Sequence, residues 1–152
     1  MVETRQRAKR AGALLGAGVL VALTATAGPL LAAGPRVSLG EVSTRVVRAD
    51  VDLGEVLRAA VLEQLETLVA PRGEGRGPVV LSAALVRMEV DGGRVTCVVS
   101  ATLRTARGGT MIAIVEGRAG LETQAPLTLP LVRQAVEAAT RAAIVRVPEA
   151  LR

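Results

Sequence analysis

The side chains of this 152-residue chain that could do chemistry lack the partners that chemistry needs. Cys97 is the only cysteine, and there is no histidine to activate it. It falls among Val95, Val99, Ala101 and Leu103 on the apolar side of an alternating stretch. That pattern describes a small buried hydrophobe rather than a reactive thiol. Ser82 and Ser100 also lack a base, so a Ser-His-Asp hydrolase is excluded. A single cysteine allows neither an intrachain disulfide nor a zinc cluster of the usual kind. Paired carboxylates remain. Glu89 and Asp91 flank a glycine turn, and Asp50 and Asp52 precede a helical pattern, so turn and cap chemistry account for each pair. Glu116 and Arg118 share one face of a strand pattern and can pair with neighbours. The expectation is no enzyme, no metal and no cofactor.

Composition narrows the remaining classes. Half the residues are apolar, which argues for a packed domain. With no Phe, Tyr or Trp, the core is aliphatic and no side chain can stack on a base or a sugar ring. The net charge is +5, but Arg5, Arg7, Lys9 and Arg10 cluster at the amino terminus. Beyond residue 27 there are 15 arginines and 13 acidic residues, an ordinary solvated surface. Nucleic acid is therefore not an expected partner.

The amino-terminal cluster introduces 23 uncharged residues, Ala11–Ala33. A basic start, an apolar run and small residues at Ala25 and Ala27 make residues 1–33 an export segment. Cleavage is expected after Ala27, with a weaker option before Gly34. An uncleaved anchor is the alternative, since the run is long enough to cross a bilayer of ~30 Å. Either outcome exports the domain, residues 36–152, because the basic flank stays in the cytoplasm. The location is then periplasmic or extracellular, and tethered to the inner membrane if the segment is kept. The segment holds no cysteine for acylation, so the membrane is reached only through an uncleaved segment.

Arg36–Arg48 alternates apolar and polar residues, with a phase change at Gly40-Glu41, and reads as a bulged strand. Asp52-Leu53-Gly54-Glu55 has the spacing of a capping box. It opens a helix to about Val69, with an apolar stripe through Leu53, Val56, Leu57, Ala60, Val61, Leu65, Leu68 and Val69. Pro71–Pro78 is a loop. Three strands follow: 78–90, 94–105 and 110–121, joined at Asp91-Gly92-Gly93 and Ala106–Gly109. A four-residue second turn sets Thr105 opposite Thr110, Leu103 opposite Ile112 and Ala101 opposite Ile114. The first turn is two or three residues long, which leaves the first strand's facing open. A last helix runs from about Thr128 to Val147, with Pro130 in its first turn and Pro148 as its stop.

The fold class is α/β, an α+β two-layer sandwich of order β-α-β-β-β-α. Its four-stranded mixed sheet carries two helices on one face. The second face is then uncovered, and apolar residues there would form a partner surface. Leu81, Leu85, Val98, Met111 and Val115 are the candidates, within a wider set that includes Val79 and Ala113.

The stretch VVLSAALVRMEVDGGRVTCVVSATLRTARGGTMIAIVEGRA, followed by LVRQAVEAATRAA, resembles the second half of a bacterial envelope domain. That domain is the α/β accessory type seen in the TolB amino-terminal, CsgG and LpoB proteins. The resemblance covers about 70 of the 152 residues, a length set by the elements matched. It rests on hydrophobic pattern and turns. The chain departs from the type in having one helix before the meander and no lipobox cysteine. The resemblance implies an accessory role in the envelope, through an envelope protein partner or self-association. A domain binding a small ligand or lipid on the uncovered face is the alternative.

Overall fold

The computed structural model describes residues 36–68, 77–123 and 126–152. The expectations for the export segment, for Val69 and for most of the loop before Pro78 lie outside the described residues. Among those described, no helix is long and apolar enough to cross a membrane.

The order is β1 (Val37–Thr44), α1 (Leu53–Thr67), β2 (Val79–Asp91), β3 (Arg94–Thr105), β4 (Met111–Glu122), α2 (Leu129–Ile144) and a single-turn α3 (Val147–Ala150). The strands lie in the order β1-β2-β3-β4. β1 is parallel to β2, and the other two pairings are antiparallel. α1 packs on β1 and β2, α2 on β3 and β4, and the two helices on each other. This is the mixed sheet with two helices on one face that the pattern predicts.

The phase change in β1 is a bulge. Leu39 pairs with Leu81 and Val42 with Ala83, so Gly40 and Glu41 together face Ser82. A Cβ on Gly40 would lie 2.5 Å from Val80 Cγ1 and 2.8 Å from Ser82 Oγ, so the bulge needs glycine. α1 begins where the capping spacing places it. The Asp52 carboxylate accepts from the amides of Gly54 (2.9 Å) and Glu55 (3.1 Å). The reciprocal half of the box is not used, because Glu55 turns 3.8 Å from Arg58 instead.

Asp91 pairs with Arg94, which leaves a two-residue turn. Gly92 and Gly93 both hold positive φ, +53° and +80°, as a type I′ hairpin requires. The first strand's facing is then fixed by a second bulge. Leu85 pairs with Val99 but Arg87 with Val98, so Val86 is the extra residue. Val79, Leu81, Ala83 and Leu85 all point under the helices.

At the other turn, the Thr105 amide donates to the Thr110 carbonyl (2.9 Å), as expected. One step later the expected register fails. Arg104 pairs with Met111 and Leu103 with Ala113, so Ile112 is a third bulge. Ala101 therefore faces Val115, and Ile114 faces Thr102 on the other side of the sheet. The extra residue moves Val115 inward and Ile114 outward.

α2 lies unusually close to β4. A Cβ on Gly117 would fall 2.1 Å from the Ala139 carbonyl oxygen and 2.2 Å from the Ala143 nitrogen. Absence of a side chain there, with alanines at 139, 142 and 143, lets helix backbone meet strand backbone. α2 ends at Ile144, three residues before the expected stop. Pro148 does not end it. Pro148 sits in the first turn of α3, where a missing amide costs nothing. That turn buries Val147 and Leu151 against the core.

Candidate functional site

The uncovered face of the sheet is assembled from the outward residues of four strands. β2 contributes Val80, Ser82, Ala84, Arg87 and Glu89. β3 contributes Arg94, Thr96, Val98, Ser100, Thr102 and Arg104, and β4 contributes Met111, Ile114, Glu116, Arg118 and Glu122. Its centre is small and hydroxylated rather than apolar. Ser82, Ser100 and Thr102 line an open hollow of about 230 Å³, with Glu41, Ser43 and Arg45 from the β1 side.

This corrects the expected partner surface. Leu81 and Leu85 are fully buried and Val115 is 9% exposed, all three under the helices. The bulges at Val86 and Ile112 set the parity that puts them there. The structure keeps Val98 and Met111 on the uncovered face, Val98 half-buried between Arg87 and Arg118 and Met111 exposed at the start of β4. The five residues are not brought together. Ile114, 56% exposed beside Thr102, belongs to this face and is absent from the expected set. Only knowledge of the Ile112 bulge would have placed it.

Cys97 sits in the core, fully buried. Burial pushes its thiol up to about 11, so it is protonated and inert at neutral pH. Three of the carboxylates serve local structure. Asp52 caps α1, and Glu89 lies 3.5 Å from Arg87 on the exposed face. Asp50 takes two hydrogen bonds from Arg48, at 2.9 and 2.7 Å. The Arg48 guanidinium holds the Asp50 carboxyl below its usual range. Among the described residues, no group of three His, Cys, Asp or Glu side chains could hold a metal ion.

A larger cleft, about 460 Å³, lies on the β4 side between Arg87, Val98, Glu116, Arg118, Ala142 and Arg146. Its charges are mixed. Arg146 reaches round the edge and donates to the backbone carbonyl of Glu116 at 3.0 Å. That contact covers one acceptor on the free side of β4.

No protein-family model matches the sequence, and no curated protein matches it. Solved structures do resemble the fold. A PelC dodecamer from Paraburkholderia phytofirmans superimposes with a TM-score of 0.52 at 18% identity, covering 84% of this chain and 96% of that one. A Xanthomonas campestris protein of the DUF330 family gives 0.47 at 14% identity, over 79% and 83% of the two chains. A minor lipoprotein from Acinetobacter baumannii gives 0.42 at 13%, over 80% and 94%. What this chain shares with PelC is the fold, over nearly the whole of the PelC chain. These neighbours are proteins of bacteria, and one is a lipoprotein by name.

Proposed function

We propose that this chain is a non-enzymatic accessory domain of the bacterial cell envelope, and that it works by binding protein, first of all other copies of itself. The observation that carries the reading is the likeness, over 84% of this chain and 96% of the other, to a protein that forms a dodecamer. Three features of the chain support it. Residues 1–33 have the pattern of an export segment. Cys97 lies in the core, Asp52 caps α1, and Asp50 and Glu89 lie in ion pairs. Among the described residues, the strand order leaves two sheet edges and one sheet face uncovered by helix. Placement with the TolB amino-terminal, CsgG and LpoB type belongs to the same proposal. It rests on the shared order of meander and closing helix.

The alternative, a lipid or apolar-ligand domain, loses its main support once Leu81, Leu85 and Val115 lie under the helices. A hydroxylated hollow does not attract an acyl chain.

Fractionation of the native host, with intact-mass analysis and light scattering of the purified protein, tests the proposal. The expected product is an exported species, starting at Gly28 or retained on the membrane at full length, and larger than a monomer. A full-length cytosolic species would overturn the export reading. A monomer at every concentration would overturn self-association.

A further inference from the structure

We infer that copies of this chain join head to tail, the outer edge of β1 in one copy lying parallel to the outer edge of β4 in the next. This rests on the proposal that the chain self-associates and names the surfaces that do it. β1 runs with β2, β2 against β3, and β3 against β4. The two edge strands therefore point the same way, and a simple rotation sets them side by side as a parallel pair. The contact uses two different patches, which is the geometry that makes a ring where the rotation closes and an open filament where it does not.

The edge side chains select one register. On the uncovered face, β1 and its extension present Glu41, Ser43 and Arg45, which line one hollow together. β4 presents Arg118, Gly120 and Glu122, opposite Val98, Thr96 and Arg94 of β3. Laid parallel, Glu41 meets Arg118, Ser43 meets Gly120 and Arg45 meets Glu122. Sliding two residues one way sets Glu41 beside Glu116, a repulsion. Sliding two the other way sets Glu41 beside Gly120 and carries Arg45 past the end of β4. Glu41, Arg45, Arg118 and Glu122 are all exposed. The ion pairs among the described residues are Arg48–Asp50, Arg58–Glu55 and Arg87–Glu89, so none of these four charges has an ion-pair partner among the described residues. Opposite charges facing across paired strands each favour a register by a modest amount, and like charges oppose it.

A two-fold dimer of β4 edges is the competing arrangement, with Glu116 facing Arg118 both ways. Its centre would fall at Gly117, beside the carbonyl of Glu116 that Arg146 already occupies. The head-to-tail segment, Arg118–Glu122, lies beyond that contact.

The test is a cross-link in the full chain. Within one copy β1 and β4 are three strand spacings apart, about 14 Å. That is too far for a disulfide. The double variant Ser43→Cys, Gly120→Cys should therefore form only intermolecular bonds. A cysteine at 120 meets the far end of the Arg94 side chain, which can swing aside. Mild oxidation should give a ladder of covalent multimers from the double variant and none from either single variant. In parallel, Glu41→Arg and Arg118→Glu should each weaken association at least tenfold by sedimentation, and the two together should restore it to within threefold. An assembly that persists with no ladder and no effect of either charge variant overturns this interface while leaving self-association standing. A terminal dimer, in which cross-linking stops, overturns it in favour of a two-fold contact. A wild-type chain that is monomeric throughout removes the reading on which it rests.

Discussion

Between pH 8 and 11 the stability of this domain should be governed by one side chain. The sequence has no tyrosine, and its single lysine, Lys9, precedes the domain. Cys97 is thus the one side chain of residues 36–152 that titrates in that window. Its thiol, fully buried on the inner face of β3, moves from 9.0 to about 11 on folding because burial disfavours the thiolate. The sign follows from linkage. Above pH 9 the unfolded chain releases this proton and the folded chain keeps it, so unfolding is favoured as pH rises. The stabilisation is fully present below pH 9 and is lost as pH climbs to about 11. At ~1.4 kcal/mol per pH unit, the loss is about 2 kcal/mol by pH 10.5 and about 2.7 kcal/mol in full. Urea unfolding of the wild type and of Cys97→Ala at pH 8, 9.5 and 10.5 measures it. Alanine lowers the whole curve through lost packing but has no proton to release. The amino terminus titrates equally in both proteins and cancels in the difference. The gap between the two proteins should therefore shrink steadily above pH 9. Parallel curves would mean that the thiolate is solvated in the folded state, and the covering of β3 by α2 would be wrong.

Other substitutions probe other joints. Gly117→Ala drives a methyl into the α2 backbone, which cannot yield as a side chain can. It should cost about 3 kcal/mol, at the upper end for overpacking, and lower the Tm by roughly 10 °C; Gly77→Ala, with nothing within 4 Å, should leave the Tm unchanged. Asp52→Ala removes the acceptor for two amides and should cost about 1 kcal/mol in urea unfolding, whereas Asp52→Asn should recover most of it. Leu85→Ala should cost about 2–5 kcal/mol and Ile114→Ala under ~1 kcal/mol, because the first is fully buried and the second is 56% exposed. Equal losses at the two positions would refute the bulges at Val86 and Ile112.

Those bulges mark the limit of what the sequence discloses. The bulge at Gly40 is legible because the strand pattern changes phase at a glycine, and glycine is the residue that such a close approach over Val80 demands. The hairpin at Gly92-Gly93 and the cap at Asp52 are legible for the same reason: the backbone geometry requires a residue type that stands out. Val86 and Ile112 do not stand out. Each is a β-branched residue in a run of apolar neighbours, and a bulge there needs no special φ. One unmarked residue in each strand reverses every side chain beyond it, which is why Leu81, Leu85 and Val115 read as candidates for the open face. The near contact at Gly117 is hidden differently. A lone glycine in a strand has several meanings, and the alanines that meet it lie 22 to 26 residues later in α2. Pro148 shows that a residue unable to continue a helix is equally suited to begin one.

The lack of aromatic residues also shapes how such a domain can hold a partner. Protein interfaces commonly draw most of their affinity from a few buried Trp, Tyr or Arg anchors. This chain has no Trp or Tyr, and its exposed large aliphatics are divided among separate places. Val47 follows β1 and Leu62 lies on α1, while Met111 and Ile114 lie on β4. No one of these makes a hot spot. If the chain associates as proposed, affinity must come from an extended contact of modest terms: backbone pairing along an edge, two ion pairs and the aliphatics beside them. Such contacts gain from repetition. A head-to-tail interface uses both edges of every copy, and the last contact to close a ring is intramolecular, so it avoids the concentration cost of the first. Assembly of this kind should be steep in protein concentration, with monomer and closed ring populated and open intermediates scarce. It should also weaken with salt, because Glu41–Arg118 and Arg45–Glu122 would lie at the exposed rim. Light scattering across a dilution series at low and at high salt reads both properties. A smooth progression of ever longer species would mean that the contact does not close into a ring, and indifference to salt would mean that the copies meet through some other surface.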